Sequence, residues 1–150
     1  LEIQVPPGVG SGDYMELQGK GDAGPQGGPP GNLRVVFEVT EDELFQRHGD
    51  DLLIDVPVSP VDLMLGTKVE VPTLEGRVSL KIPAGTQSHK VFRMRGKGMP
   101  HVNRSGNGDQ LVRVLAWTPE KLDKDLKSRL EAVQEDLARQ VPSPGRHLFD

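Results

Sequence analysis

The sequence predicts a mainly β protein: two similar β-modules in tandem, followed by one C-terminal helix. Three observations lead there. The chain nearly repeats itself: Gln4-Val5-Pro6-Pro7-Gly8 lies over Lys81-Ile82-Pro83-Ala84-Gly85 at an offset of 77 residues, Ser11 over Ser88, Gly19-Lys20-Gly21 over Gly96-Lys97-Gly98, and Gly31 over Gly108. Self-similarity at a fixed offset marks a repeated supersecondary unit, and two copies are too few for a solenoid. With 18 Gly and 13 Pro in 150 residues, the punctuation suits many short strands. Only after Thr118-Pro119 does the period change from that of a strand to that of a helix.

The better copy sets the grammar. Residues 78–82 alternate apolar and polar, the period of a half-buried strand. Pro83 ends the run because it has no N–H for a ladder, and Ala84-Gly85 turns the chain. Residues 90–95 read as the return strand, with Phe92 and Met94 on one face and Arg93 and Arg95 on the other. Gly96-Lys97-Gly98 breaks it, and a polar loop leads to a strand over 110–117. The first copy has the same plan, with strands over 1–5, 13–18 and 33–40 and a Gly/Pro loop over 22–32.

Between the copies, residues 41–47 read as a connector of one helical turn around Leu44 and Phe45, and His48-Gly49-Asp50-Asp51 as a turn and module boundary. A strand follows over 52–58. Ser59-Pro60 then opens a short helix, with Ser59 as N-cap, Pro60 at its first position, Asp62 completing a capping box and Gly66 in the left-handed position past its end. Strands over 67–71 and 76–82 pair across 72–75. From Asp123 on, Leu126, Leu130, Val133 and Leu137 form one apolar stripe on a charged helix, and residues 139–150 form a frayed tail. Full burial of the stripe is worth on the order of 6 kcal/mol; it suits either packing on the second module or, the favoured reading, pairing with a second copy.

Composition narrows function. The net charge of −4 gives no bias toward nucleic acid or membrane surfaces. No apolar run approaches the roughly 20 residues of a membrane helix. Zero cysteines remove disulfides, thiolate metal sites and Cys nucleophiles, and suit a reducing compartment such as the cytoplasm. The chain opens in mid-strand without Met and reads as a fragment.

Several constellations could carry chemistry. Gly19-Lys20-Gly21-Asp22-Ala23-Gly24 has the letters of a dinucleotide fingerprint, but Pro25-Gln26-Gly27-Gly28-Pro29-Pro30 cannot supply the helix that faces the pyrophosphate. It reads as a tight turn. His48, Asp50, Asp51, His101 and Asp109 could form a metal or acid/base set; none has the i, i+4 spacing of a zinc enzyme, and loop polars are the better reading. Residues 76–108 carry seven Lys or Arg and no Asp or Glu, a solvated sheet face or an acidic-peptide contact. Asn103-Arg104-Ser105 is a glycosylation sequon that matters only on secretion.

Four stretches together carry a resemblance: Phe45-Gln46-Arg47-His48-Gly49-Asp50-Asp51-Leu52; Leu65-Gly66 with Val69-Glu70-Val71-Pro72-Thr73-Leu74-Glu75-Gly76; Lys81-Ile82-Pro83-Ala84-Gly85-Thr86-Gln87; and Phe92-Arg93-Met94-Arg95-Gly96-Lys97-Gly98 with Gly108-Asp109-Gln110-Leu111. In this order they resemble the C-terminal region of the DnaJ co-chaperones, over residues 1 to 138. The resemblance implies two tandem β-sandwich-like substrate-binding domains, the first truncated: residues 1–47 would close the first, 48–118 form the second, 119–138 the dimerisation helix and 139–150 a flexible tail. It implies no catalysis, binding of unfolded client polypeptides, homodimerisation through Leu126, Leu130, Val133 and Leu137, and delivery of clients to a DnaK-type chaperone by the full-length protein. The client groove would be lined by Phe45, with Met15 and Leu17 on the strand beside it or else in the core. The His-Pro-Asp signature and Gly/Phe-rich linker of the family are absent, so these residues would not stimulate DnaK. No cofactor is implied here; the zinc module of some members would lie before Leu1. The rival readings are a His48/Asp50/His101 hydrolase and a β-module that only dimerises.

Overall fold

The computed structural model describes residues 1–148. Residues 1–117 form one compact unit and residues from Thr118 onward a second. The first unit holds strands β1 (Tyr14–Leu17), β2 (Leu33–Val36), β3 (Gln46–His48), β4 (Asp51–Val58), helix α1 (Pro60–Leu65), and strands β5 (Thr67–Thr73), β6 (Gly76–Ile82), β7 (Val91–Met94) and β8 (Gln110–Ala116). The second holds helix α2 (Lys124–Ala138). The protein is mainly β, as expected.

Three sheets organise the first unit: a β1–β2 ribbon, a four-stranded sheet in the order β3-β4-β8-β7, and a β5–β6 hairpin. Alternation assigns the faces. Leu52, Ile54 and Val58 of β4 and Val112 and Val114 of β8 are buried, together with Val71 and Ile82 of the hairpin and Leu63 of α1. Val58, Leu63, Ile82 and Val114 make one cluster, and Ile54, Val71 and Val112 another, bridged by Val56, Val69, Leu80 and Phe92. The core thus lies where the four-stranded sheet, the hairpin and α1 meet.

The internal repeat holds at the level of single hydrogen bonds. Tyr14 pairs with Val36 and Met15 with Val35, while Val91 pairs with Arg113 and Phe92 with Val112: the same register, 77 residues on. The Gly21 amide donates to Gly31 O at 2.8 Å, as Gly98 does to Gly108 O at 2.8 Å. The Val39 amide donates to Ser11 Oγ at 2.8 Å, as Ala116 does to Ser88 Oγ at 2.9 Å. Gly19 donates to Asn32 Oδ1, as Gly96 does to Asp109 Oδ1. A Cβ at Gly21 or Gly98 would sit 2.5 Å from a backbone oxygen, of Asn32 or Asp50 respectively. Close backbone approach explains glycine at both.

Several expectations are corrected. Residues 1–5 form no strand. Their counterpart β6 is held by β5, and residues 1–5 have no such partner, so their alternation has no ladder to join. Residues 41–47 form no helical turn. The Asp42 carboxylate takes the amides of both Leu44 and Phe45 at 2.9 Å, and the chain then pairs as β3 with β4 through Gln46↔Leu53 and His48↔Asp51. The tight turn of Gly49 (φ 62°) and Asp50 therefore joins two strands of one sheet. Strand β2 ends at Val36, short of Thr40. Ser59 and Pro60 start α1 as expected, but the Ser59 side chain makes no capping hydrogen bond. The β5–β6 turn is two residues tight, with Thr73 opposite Gly76. At α2 the cap is made by Asp123, whose Oδ1 accepts the Leu126 amide at 2.8 Å.

Candidate functional site

An open cleft of about 1230 Å³ lies in the first unit, where the turns of the first copy meet β3 and β4. Phe45 lines it, beside Leu44. The Asp42 turn fixes the backbone of this pair: its carboxylate accepts both amides, and β3 begins at the next residue, Gln46. Those amides also hold the Asp42 carboxyl below the usual carboxylate range, Phe45 contributing most. Asp42 was missed in the sequence, although an Asp two and three residues before the amides it takes is the signal of such a turn. Leu44 is 50% exposed. Phe45 is half-buried and packs against the Ile54, Val71 and Val112 cluster, so its ring belongs to core and cleft alike.

Met15 and Leu17 do not line the cleft. They are half-buried on one face of the β1–β2 ribbon, with Leu33 and Val35 as their pairing partners. By the repeat they correspond to Phe92 and Met94, which pack onto the core of the second copy.

One wall of the cleft is fastened by Arg47. Its guanidinium donates to Gly49 O at 2.7 Å, Val9 O at 2.8 Å and Gly8 O at 2.6 Å, and reaches Asp50 at 3.5 Å. The turn at Gly8 (φ 89°) must be glycine, since a Cβ there would lie 2.0 Å from Pro100 O. Asp50 in turn meets His101, Oδ2 to Nδ1, at 2.7 Å. That hydrogen bond is the main reason the Asp50 carboxyl lies below its ordinary range.

Of the five polar candidates, the fold brings Asp50 and His101 together and keeps the other three apart from them in separate roles. Asp51 Oδ1 accepts the Asp109 amide at 2.7 Å; Asp109 accepts the Gly96 amide and pairs with Arg93 at 2.6 Å; His48 is exposed on β3. Among the described residues no group of three or more His, Cys, Asp or Glu could hold a metal ion. The Gly19–Gly24 letters lead into a 3-10 turn over Pro25–Gly27, so the phosphate-facing helix of a nucleotide site is not formed. The cations of 76–108 are divided: Arg77 and Lys81 stand on β6 with Lys81 opposite Lys68, whereas Arg93 is on β7 and Lys97 pairs with Glu75 at 3.9 Å.

On α2, Leu126, Val133 and Leu137 are 41%, 42% and 40% exposed. Leu130 and Leu137 line a shallow groove with Leu122, a residue the helical stripe did not include.

The DnaJ C-terminal domain family matches residues 1–119. The chain belongs to that family. The chaperone protein DnaJ of Listeria welshimeri is 43% identical over 150 residues, covering 100% of this chain and 40% of the relative. A DnaJ of Listeria monocytogenes matches to the same extent, 43% over 150 residues. The DnaJ of Chlorobaculum tepidum is 49% identical over 134 residues, 87% of this chain and 33% of the relative. The chain thus spans 40% of the length of the Listeria relatives and corresponds to the C-terminal region of DnaJ. No helix among the described residues is long and apolar enough to cross a membrane.

Proposed function

We propose that this part of a DnaJ-type co-chaperone holds unfolded polypeptide in the cleft around Phe45 and dimerises through α2. The observation that carries the reading is Leu44 and Phe45, an apolar pair open to the cleft, at the head of β3. That strand is the outer strand of its sheet, so one row of its backbone groups has no ladder partner. A client strand added there is read through its backbone, common to all sequences, while the apolar pair takes its side chains. Met15 and Leu17 extend the reading to the half-buried ribbon face, a second apolar contact. Two such sites in a dimer add by avidity. In the full-length cytoplasmic protein the held client passes to a DnaK-type chaperone. No cofactor and no catalytic step enter.

The test is titration of a labelled unfolded apolar peptide by fluorescence anisotropy. Leu44→Ser removes a half-exposed side chain and is expected to weaken binding about three- to tenfold without moving the unfolding midpoint. Phe45→Ala weakens binding too, but also loses stability, by about 1–3 kcal/mol, because its ring touches the core. Unchanged affinity in both variants overturns the cleft assignment, and a parent that binds no unfolded peptide leaves the purely dimerising module.

A further inference from the structure

The same cleft has an uneven rim. Six of its lining residues are carboxylates: Asp13, Glu41, Asp42, Glu43, Asp50 and Asp55. Its one lining cation is Arg47, whose donors are taken by three carbonyls and Asp50. Asp55 is matched by Arg113 through bonds of 2.7 and 2.8 Å, and Asp50 by His101 and Arg47. The other four have no cation. Asp13 and Asp42 accept only backbone amides, which orient a carboxylate without cancelling its charge. Glu41 and Glu43 are exposed and make no hydrogen bond or ion pair among the described residues. Glu41, Asp42 and Glu43 directly precede the apolar pair, so negative potential and apolar surface occupy one short segment.

We infer that the cleft selects client segments in which apolar residues are flanked by Lys or Arg, with Leu44 and Phe45 taking the apolar part and Glu41 and Glu43 the flanking cations. This rests on the reading of the cleft as the client site and names the class of client it prefers. Charge complementarity decides the occupant: a neutral apolar segment fills the centre and leaves the rim unmatched, and an acidic one meets like charge.

The experiment uses the whole chain and three peptides that share one core of Leu and Phe, flanked by Lys, by Gln or by Glu. At about 0.1 M salt the Lys-flanked peptide should bind roughly fivefold tighter than the Gln-flanked one, two exposed charge pairs being worth about that, and the Glu-flanked one weaker still. The ranking should collapse near 1 M salt, where the Debye length falls from about 10 to about 3 Å. It should also collapse in the double variant Glu41→Gln/Glu43→Gln, which keeps its affinity for the Gln-flanked peptide. The control Glu16→Gln/Glu70→Gln makes the same change in net charge at exposed positions outside the cleft and should keep the ranking. Equal affinities for all three peptides, or a control that erases the ranking as fully, overturns the inference while the cleft remains a client site. Failure of every peptide to bind, the Gln-flanked one included, overturns the client reading and this inference with it.

Discussion

Asp50 and His101, 51 residues apart, meet at 2.7 Å between Oδ2 and Nδ1. The contact ties the β3–β4 turn to the loop before β8. The same turn is fixed from the other side, where the Met99 amide donates to Asp50 O at 2.8 Å.

Acid should therefore loosen this region. Hydrogen bonds lower the carboxyls of Asp50 (from His101), Asp55 (from Arg113) and Asp109 (from the Gly96 amide, then Arg93). A group whose pKa is lower folded than unfolded stabilises above its unfolded value of about 3.9 and loses that contribution as pH falls through the folded value. These carboxylates should leave denaturant midpoints level from neutrality to about pH 5, then falling from about pH 4 downward. Asp50→Asn and Asp55→Asn should each flatten that acid limb. An unaltered limb in both variants would show that these pairs contribute nothing to the acid response.

Two glycines separate steric from conformational demands. A Cβ at Gly108 would lie 2.2 Å from Asp50 O, whereas one at Gly49 (φ 62°) would meet nothing within 4 Å. Gly49→Ala should cost about 1 kcal/mol for the left-handed backbone alone. Gly108→Ala must push backbone apart and should cost more, about 2–3 kcal/mol. Equal losses in urea titrations would refute the close approach at Gly108.

Gln110 is buried completely; its Nε2 donates to Pro72 O at 2.8 Å, while its Oε1 is buried without a partner. The repeat puts Leu33 in the equivalent slot of the first copy. Gln110→Leu exchanges one unsatisfied oxygen for another and should stay within about 1 kcal/mol of the parent. Gln110→Ala should lose about 2–4 kcal/mol by opening a cavity. A Leu variant as unstable as the Ala variant would make the Pro72 bond dominant.

The α2 stripe yields the last expectation. If the apolar face formed by Leu126, Leu130, Val133 and Leu137 is covered by a second copy, the contact is isologous and every residue of the face is used twice. Leu130→Asp then puts a charge into the seam and should give monomers in sedimentation velocity. A parent that sediments as a monomer at tens of micromolar would end the proposal, as would a dimeric mutant.

Much of this molecule is legible in its residues because the signals are local. Strand period, Pro83, Ala84-Gly85 and the Asp123 cap each act within a few positions. The repeat places β1 with β2 as reliably as β7 with β8, because equal spacing and equal glycines allow equal registers. The cleft was half legible: Phe45 was found, but its contact with the Ile54, Val71 and Val112 cluster was not, and Asp42 and the carboxylate rim went unnoticed.

What the sequence by itself determined is most of the local structure of the second copy and of α2, since φ/ψ preference, side-chain period and proline's missing donor are properties of neighbours along the chain. Tertiary structure alone decided that β4 runs parallel to β8, that residues 46–48 join that sheet rather than coil, that residues 1–5 stay unpaired, and that Arg47 reaches Gly8 and Val9. These outcomes depend on which distant backbone supplies a partner, and a strand's period is the same whichever edge it joins.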